Sequence, residues 1–161
     1  MSKNIIVSNR LPVQAESKDG EWFFTPTSGG LATGLRSFHS EGKSLWIGWP
    51  GISSDSLDKK SKRLINEDLL DKQFCPVFLN EKELDDFYFG FSNKCLWPLF
   101  HYFIEIHKFD LIQWQSYIEV NQKFADEVLK VVKDGDKVWI HDYQLLLCPQ
   151  MVKDINPNVT I

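Results

Sequence analysis

Hydrophobic and polar positions along this chain follow two periods, and the chain switches repeatedly from one to the other. Short, β-branched apolar runs at residues 4–8, 44–49, 74–79 and 137–141 are continuous, which is the pattern of strands covered on both faces. Between them the apolar positions recur at three- and four-residue steps. The clearest case is residues 113–132, where Trp114, Tyr117, Phe124, Val128 and Val132 fall on one stripe suited to packing on a sheet. Shorter helices are expected at 30–39, 59–65, 81–87, 92–103 and 143–154. Pro98 has no amide hydrogen and so belongs in a first turn or at a bend. Gly135 in "KDGDK" suits a left-handed turn that stops the long helix. Strands alternating with helices predict an α/β fold with a mostly parallel sheet and helices on both faces. Within the first long connection, "VQAESKDGEWFFTP" reads as two strands around an Asp19-Gly20 turn, a hairpin projecting as a flap. The closing "NPNVTI" reads as a turn and the opening of one more buried strand, so the chain is expected to be the front part of a longer protein.

Composition narrows the classes. The chain has 161 residues, 43% of them hydrophobic, enough for one core but too few for two. Its net charge is −4 with Lys and Arg dispersed, which argues against nucleic acid and a membrane surface as partners. Three cysteines, Cys75, Cys95 and Cys148, stand far apart without metal-ligand spacing. They read as buried thiols in a reducing compartment, and the expected location is cytoplasmic. No carboxylate cluster suggests a divalent metal, and no cofactor is implied.

Four stretches could carry chemistry. The run "IIVSNRLP" ends in Asn9 and Arg10, at the carboxyl end of the first expected strand, where open parallel sheets bind ligands. Arg10 is either a solvated end to the strand or a bidentate phosphate ligand. In "TSGGLATGL", Gly29 and Gly30 open a helix. They either allow a large ligand to approach the helix amides or serve a turn with unusual dihedrals. In "KVWIHDYQLL", Asp142 can accept hydrogen bonds from sugar hydroxyls or cap the next helix, and His141 reads as a hydrogen-bonded packing residue. The aromatic-rich segment 85–103 offers Tyr88 and Trp97 as platforms for a sugar ring, with Phe87, Phe91, Phe100 and Phe103 assigned to the core.

Taken in order, "VSNRLP", "TSGGLATGL", "WIGWPG", "YFGFSNKCLWPLFHY" and "VWIHDYQLL" resemble the N-terminal lobe of trehalose-6-phosphate synthases. The resemblance runs from Ile5 to Ile161 and implies the Rossmann-like N-terminal lobe of a two-lobed GT-B glycosyltransferase. Residues 1–161 would then be an acceptor-binding lobe, without the C-terminal nucleotide-sugar lobe. The implied reaction moves glucose from UDP-glucose to glucose 6-phosphate with retention, giving α,α-trehalose 6-phosphate. By the same resemblance Arg10 holds the acceptor phosphate with Tyr88 assisting, Trp97 shapes the acceptor pocket, and Asp142 holds acceptor hydroxyls. The amides around Gly29 and Gly30 face the donor diphosphate, and the glycine loop closes over the nucleotide. Phe89 stands where other members carry asparagine, and the hairpin at 13–26 is longer than in the shorter bacterial members. No catalytic group is assigned within these residues, so this stretch alone is expected not to turn over. A related transferase with another phosphorylated acceptor, or a noncatalytic sugar-phosphate sensor, would carry the same motifs. A homo-oligomeric full-length protein is compatible with either.

Overall fold

The computed structural model describes residues 2–18, 20–40 and 44–161, the side chains of residues 36, 37 and 40 excepted. Strands β1 (Asn4–Arg10), β2 (Val13–Lys18), β3 (Glu21–Pro26), β4 (Ser44–Trp49), β5 (Phe74–Pro76) and β6 (Lys137–Ile140) divide into two sheets. The main sheet is parallel with order β5-β4-β1-β6, and β2 and β3 form a separate antiparallel hairpin. Lys18 pairs with Glu21, as a two-residue turn requires. Gly20 has the positive φ such turns favour, 83°, while Asp19 lies outside the described residues. Beyond β6, Val138 N donates to Thr160 O at 2.8 Å and Thr160 bridges Lys137 in parallel. That is one rung of the strand anticipated in "NPNVTI".

Helices cover both faces. Ile5 and Val7 point into a core formed with α5 (Leu111–Val131), α6 (Cys148–Ile155) and a π-helix (Leu84–Leu96). Ile6 points the other way, into a second cluster with α2 (Lys59–Asp71), the hairpin, and Leu35 and Phe38 of α1 (Gly30–Ser40). This one-residue alternation along β1 is why its apolar run is continuous. Cys75, Cys95 and Cys148 are buried free thiols, and burial pushes Cys75 up to about 11 and Cys148 up to about 12. No helix among the described residues is long and apolar enough to cross a membrane.

Several boundaries differ from the sequence reading, each for a local reason. β5 ends at Pro76 rather than continuing to residue 79, because the carbonyl of Leu79 turns to Ser54 N at 2.8 Å. Asn80 then caps α3 (Glu81–Glu83) in a capping box with Glu83. α2 runs six residues past the expected end at 65, since Leu69 extends the buried stripe of Ile65. The two helices expected at 81–87 and 92–103 are one continuous helical segment through the π-helix into α4 (Trp97–Phe100), with Pro98 in its first turn. Phe87 and Phe91 pack on Tyr117 at 5.8 and 4.8 Å between centroids, which outweighs the cost of about 1 kcal/mol for Gly90 within a helix. The helix expected at 143–154 is a 3₁₀ turn (Tyr143–Leu145) followed by α6, because Pro149 must occupy a first turn. Gly135 has the left-handed φ of 84°, but in the turn into β6 rather than directly at the end of α5.

Candidate functional site

The strand order creates a crevice. The chain leaves β1 toward β4 on one side and returns as β6 on the other, so the carboxyl ends of β1 and β6 meet at a topological switch point, where such sheets bind ligands. The register of β1 against β4 breaks between Val7 and Arg10, a bulge that turns the end of the strand toward this crevice. Gly48 makes the bulge sterically feasible. A Cβ there would lie 2.8 Å from Leu11 N and 2.9 Å from the carbonyl carbon of Arg10. From below, Ser8 Oγ donates to Arg10 O at 2.8 Å and accepts from Trp46 Nε1 at 2.8 Å.

Arg10 is therefore held at its backbone. Its Nη2 donates to Gln14 Oε1 at 2.6 Å, and its guanidinium carbon sits 5.2 Å from the centre of the Trp49 ring. That second contact is a cation–π interaction, which tolerates a ligand on the other face. Among the described residues no carboxylate pairs with Arg10; the ion pairs there are Arg63–Glu67, Lys82–Asp86, Lys123–Glu83 and Lys130–Glu127.

Just past the end of the neighbouring strand β6, Asp142 has φ 73° and ψ 168°, a region occupied almost only by glycine. It is kept there from behind by α5. Asn121 Nδ2 donates to Gln144 O at 3.0 Å, and Asn121 Oδ1 accepts from Leu147 N and Cys148 N at 3.2 and 3.1 Å. Tyr117 Oη donates to Tyr143 O at 2.7 Å and accepts from Leu146 N at 3.1 Å. These buried bonds fix the turn that follows Asp142 and so impose its backbone angles. Asp142 Oδ1 accepts from Tyr143 N at 2.8 Å, so the capping role is real but covers a single 3₁₀ turn.

Arg10, Gly29, Gly30, Tyr88, Asp142 and Gln144 all line one open cleft of about 320 Å³. Gly29 and Gly30 have no positive φ, and a Cβ on either would meet nothing within 4 Å. The turn with unusual dihedrals is thereby excluded as the reason for glycine, and the fold's own packing does not require it. Tyr88 reaches the cleft from the π-helix with Phe89 edge-on at 5.1 Å; Phe89 itself is exposed. The structure does not bring Trp97 into this lining. About two helical turns farther along, it stacks on His101 at 4.1 Å and on Phe103 at 5.9 Å. Phe100 and Phe103, expected in the core, are more than half exposed at 54% and 52%.

Two polar atoms at the strand ends are buried without a hydrogen-bond partner, Asn9 Oδ1 and His141 Nε2. His141 was expected to be hydrogen-bonded through its ring. Its backbone N does donate to Val7 O at 2.9 Å, but the ring packs on Trp139 at 4.5 Å instead. Burial lowers its pKa against the opposing pull of Asp142, which favours the neutral ring. Asn9 lines the cleft and His141 does not, and both orphaned atoms are closed to solvent. No cluster of three metal-ligating side chains occurs among the described residues.

Sequence reasoning missed Gln14, Gln144, Tyr117 Oη and Asn121. Asn121 carried a signal, a polar residue on the apolar stripe of a long helix. Gln14 carried none.

The model of glycosyltransferase family 20 matches residues 2–161. The chain belongs to glycosyltransferase family 20. It is 43% identical over 154 residues to an alpha,alpha-trehalose-phosphate synthase [UDP-forming] of Botryotinia fuckeliana, covering 95% of this chain and 29% of that protein. The solved alpha,alpha-trehalose-phosphate synthase (UDP-forming) of Burkholderia xenovorans, in complex with glucose-6-phosphate, superposes with a TM-score of 0.72 at 28% identity. That match covers 98% of this chain and 32% of the other. The E. coli enzyme bound with UDP-2-fluoro glucose gives 0.71 at 30% identity, covering 96% and 31%. The family 20 chain described here thus spans about a third of the length of the relatives it matches.

Proposed function

We propose that this family 20 chain is the N-terminal, acceptor-binding lobe of a retaining glucosyltransferase that moves glucose from UDP-glucose to glucose 6-phosphate, forming α,α-trehalose 6-phosphate and UDP. The nucleotide-sugar lobe lies elsewhere in the full-length protein, and the active site is the cleft between the two. The observation that carries this reading is Arg10, a guanidinium without a carboxylate partner among the described residues, set in the switch-point cleft that Asp142 also lines. The names of the relatives and the ligands of the two solved structures support it.

Arg10 binds the acceptor phosphate through charge-assisted hydrogen bonds, with the Tyr88 hydroxyl assisting. Asp142 accepts from hydroxyls of the acceptor sugar. The first-turn amides at Gly29 and Gly30 approach the donor diphosphate, favoured by the dipole of α1. In the reaction, the bond from the anomeric carbon to UDP breaks and the acceptor hydroxyl attacks from the same face, its proton passing to the departing phosphate oxygen. The residues described here contribute positioning and electrostatics to that step. A cytoplasmic location fits the three buried, unpaired cysteines.

Arg10→Ala in the full-length protein tests the reading. Loss of two charge-assisted bonds is expected to raise KM for glucose 6-phosphate by about 100-fold or more, with KM for UDP-glucose nearly unchanged. An unaltered KM for glucose 6-phosphate would remove Arg10 from the site and the reading with it.

A further inference from the structure

A guanidinium presents its N–H donors in a rigid planar fork, so it serves a phosphate well only when the plane is held at one angle. For Arg10 the holding group is Gln14, whose Oε1 accepts from Nη2 at 2.6 Å. The pattern of β2 explains why Gln14 is there. Val13 and Ala15 pack into the apolar cluster with Ile6 and Trp46, so the residue between them faces the other side of the strand. Ala15 N donates to Pro50 O at 2.8 Å, tying this part of the hairpin to the segment that follows β4. Gly51 in that segment has φ 80°, and a Cβ on it would lie 2.9 Å from Gln14 Cγ and 3.0 Å from Arg10 Nη2. Gln14 and the guanidinium therefore share a slot walled by Gly51 and by the Trp49 ring.

The holding group is also neutral. A carboxylate in the same place would align the fork equally well, but it would compensate the cation and compete with an incoming dianion. An amide oxygen aligns the cation and leaves its charge for the ligand. We infer that Gln14 is a positioning residue for the acceptor phosphate, fixing the Arg10 fork without neutralising it, and that the hairpin Val13–Pro26 is thereby a working part of the acceptor site. This rests on the role given to Arg10 above.

The test is initial-rate kinetics on the full-length protein, varying glucose 6-phosphate and UDP-glucose separately. Gln14→Glu is expected to raise KM for glucose 6-phosphate about tenfold while kcat and KM for UDP-glucose stay within about twofold. Gln14→Met keeps the length but removes the acceptor oxygen, and should raise the same KM about threefold. An unchanged KM for UDP-glucose also reports that each variant is folded. In an Arg10→Ala background Gln14→Met should have no further effect. A Gln14→Glu enzyme with the original KM for glucose 6-phosphate overturns the inference, as does a full effect of Gln14→Met in the absence of Arg10. If Arg10→Ala raises KM and the Gln14 variants do not, only the role of Gln14 falls. If Arg10→Ala is itself silent, the reading of the site falls and takes this one with it.

Discussion

The two rims of the cleft are built differently. On the β1/β6 rim the backbone is over-determined: Arg10 is set by a bulge that only Gly48 permits, and Asp142 is held in a glycine-like conformation by Asn121 and Tyr117. On the other rim, Gly29, Gly30 and the first turns of α1 meet little, and no described side chain of α1 is fully buried. α1 is anchored at its far end instead. There the His39 ring lies between Ser44 Oγ at 3.0 Å and Lys72 O at 3.3 Å and stacks on Phe74 at 4.6 Å. A fixed rim suits a ligand that must be oriented, and a rim tethered at one end suits one that must be enclosed.

Four measurements sharpen or break this contrast. The largest effect belongs to Gly48→Ala, where a Cβ would press on the Arg10–Leu11 peptide at 2.8–2.9 Å, backbone that does not yield as a side chain would; unfolding by denaturant should show a loss of about 3 kcal/mol. Next is a pair at position 142. Asp142→Gly relieves the backbone strain and loses only the cap, whereas Asp142→Ala keeps the strain, so the glycine variant should be the more stable by about 1–2 kcal/mol while both raise KM for the acceptor. Equal stabilities would show that the backbone at 142 is not strained. On the open rim the sign reverses. Gly30→Ala has open space and no positive φ, so it should raise stability by about 0.5 kcal/mol while lowering kcat/KM for UDP-glucose. Loss of stability there would put the glycine under a packing constraint and end the contrast.

The smallest effect is on pH. Burial lowers the pKa of His39 below its usual 6.5, so the unfolded chain binds more protons in the window between the two values. The contribution is complete above pH 6.5 and is lost as pH falls through that window, levelling off below the depressed value. Thermal melts of the full-length protein between pH 8 and about 5 should show that decline, and His39→Gln should flatten part of it. A profile identical in the variant would show that His39 does not anchor α1.

Much of this was readable before the structure, where the signal was local. The strand 44–49 followed from a continuous apolar run and the long helix from apolar periodicity, because both record which faces are buried. Arg10, Asp142 and the two glycines stood at strand and helix ends, where α/β sheets expose their chemistry. Trp97 stood in an aromatic-rich stretch, and aromatic density does not say which rings turn toward a cleft.

By itself, the sequence determined the α/β alternation, the ends of the central strands and the identities of the charged groups waiting there. Those depend on neighbours within a few residues, which the chain order supplies. Only the tertiary structure decided that β1 lies between β4 and β6, that Gln14 holds Arg10, and that a helix 21 residues back in sequence from residue 142 supplies the asparagine behind its turn. The strand order and the Asn121 contact join segments separated by other elements, while Arg10 and Gln14 stand only four residues apart and meet because the hairpin packs where it does. In each case the geometry is set by how whole elements pack, and no local pattern encodes it.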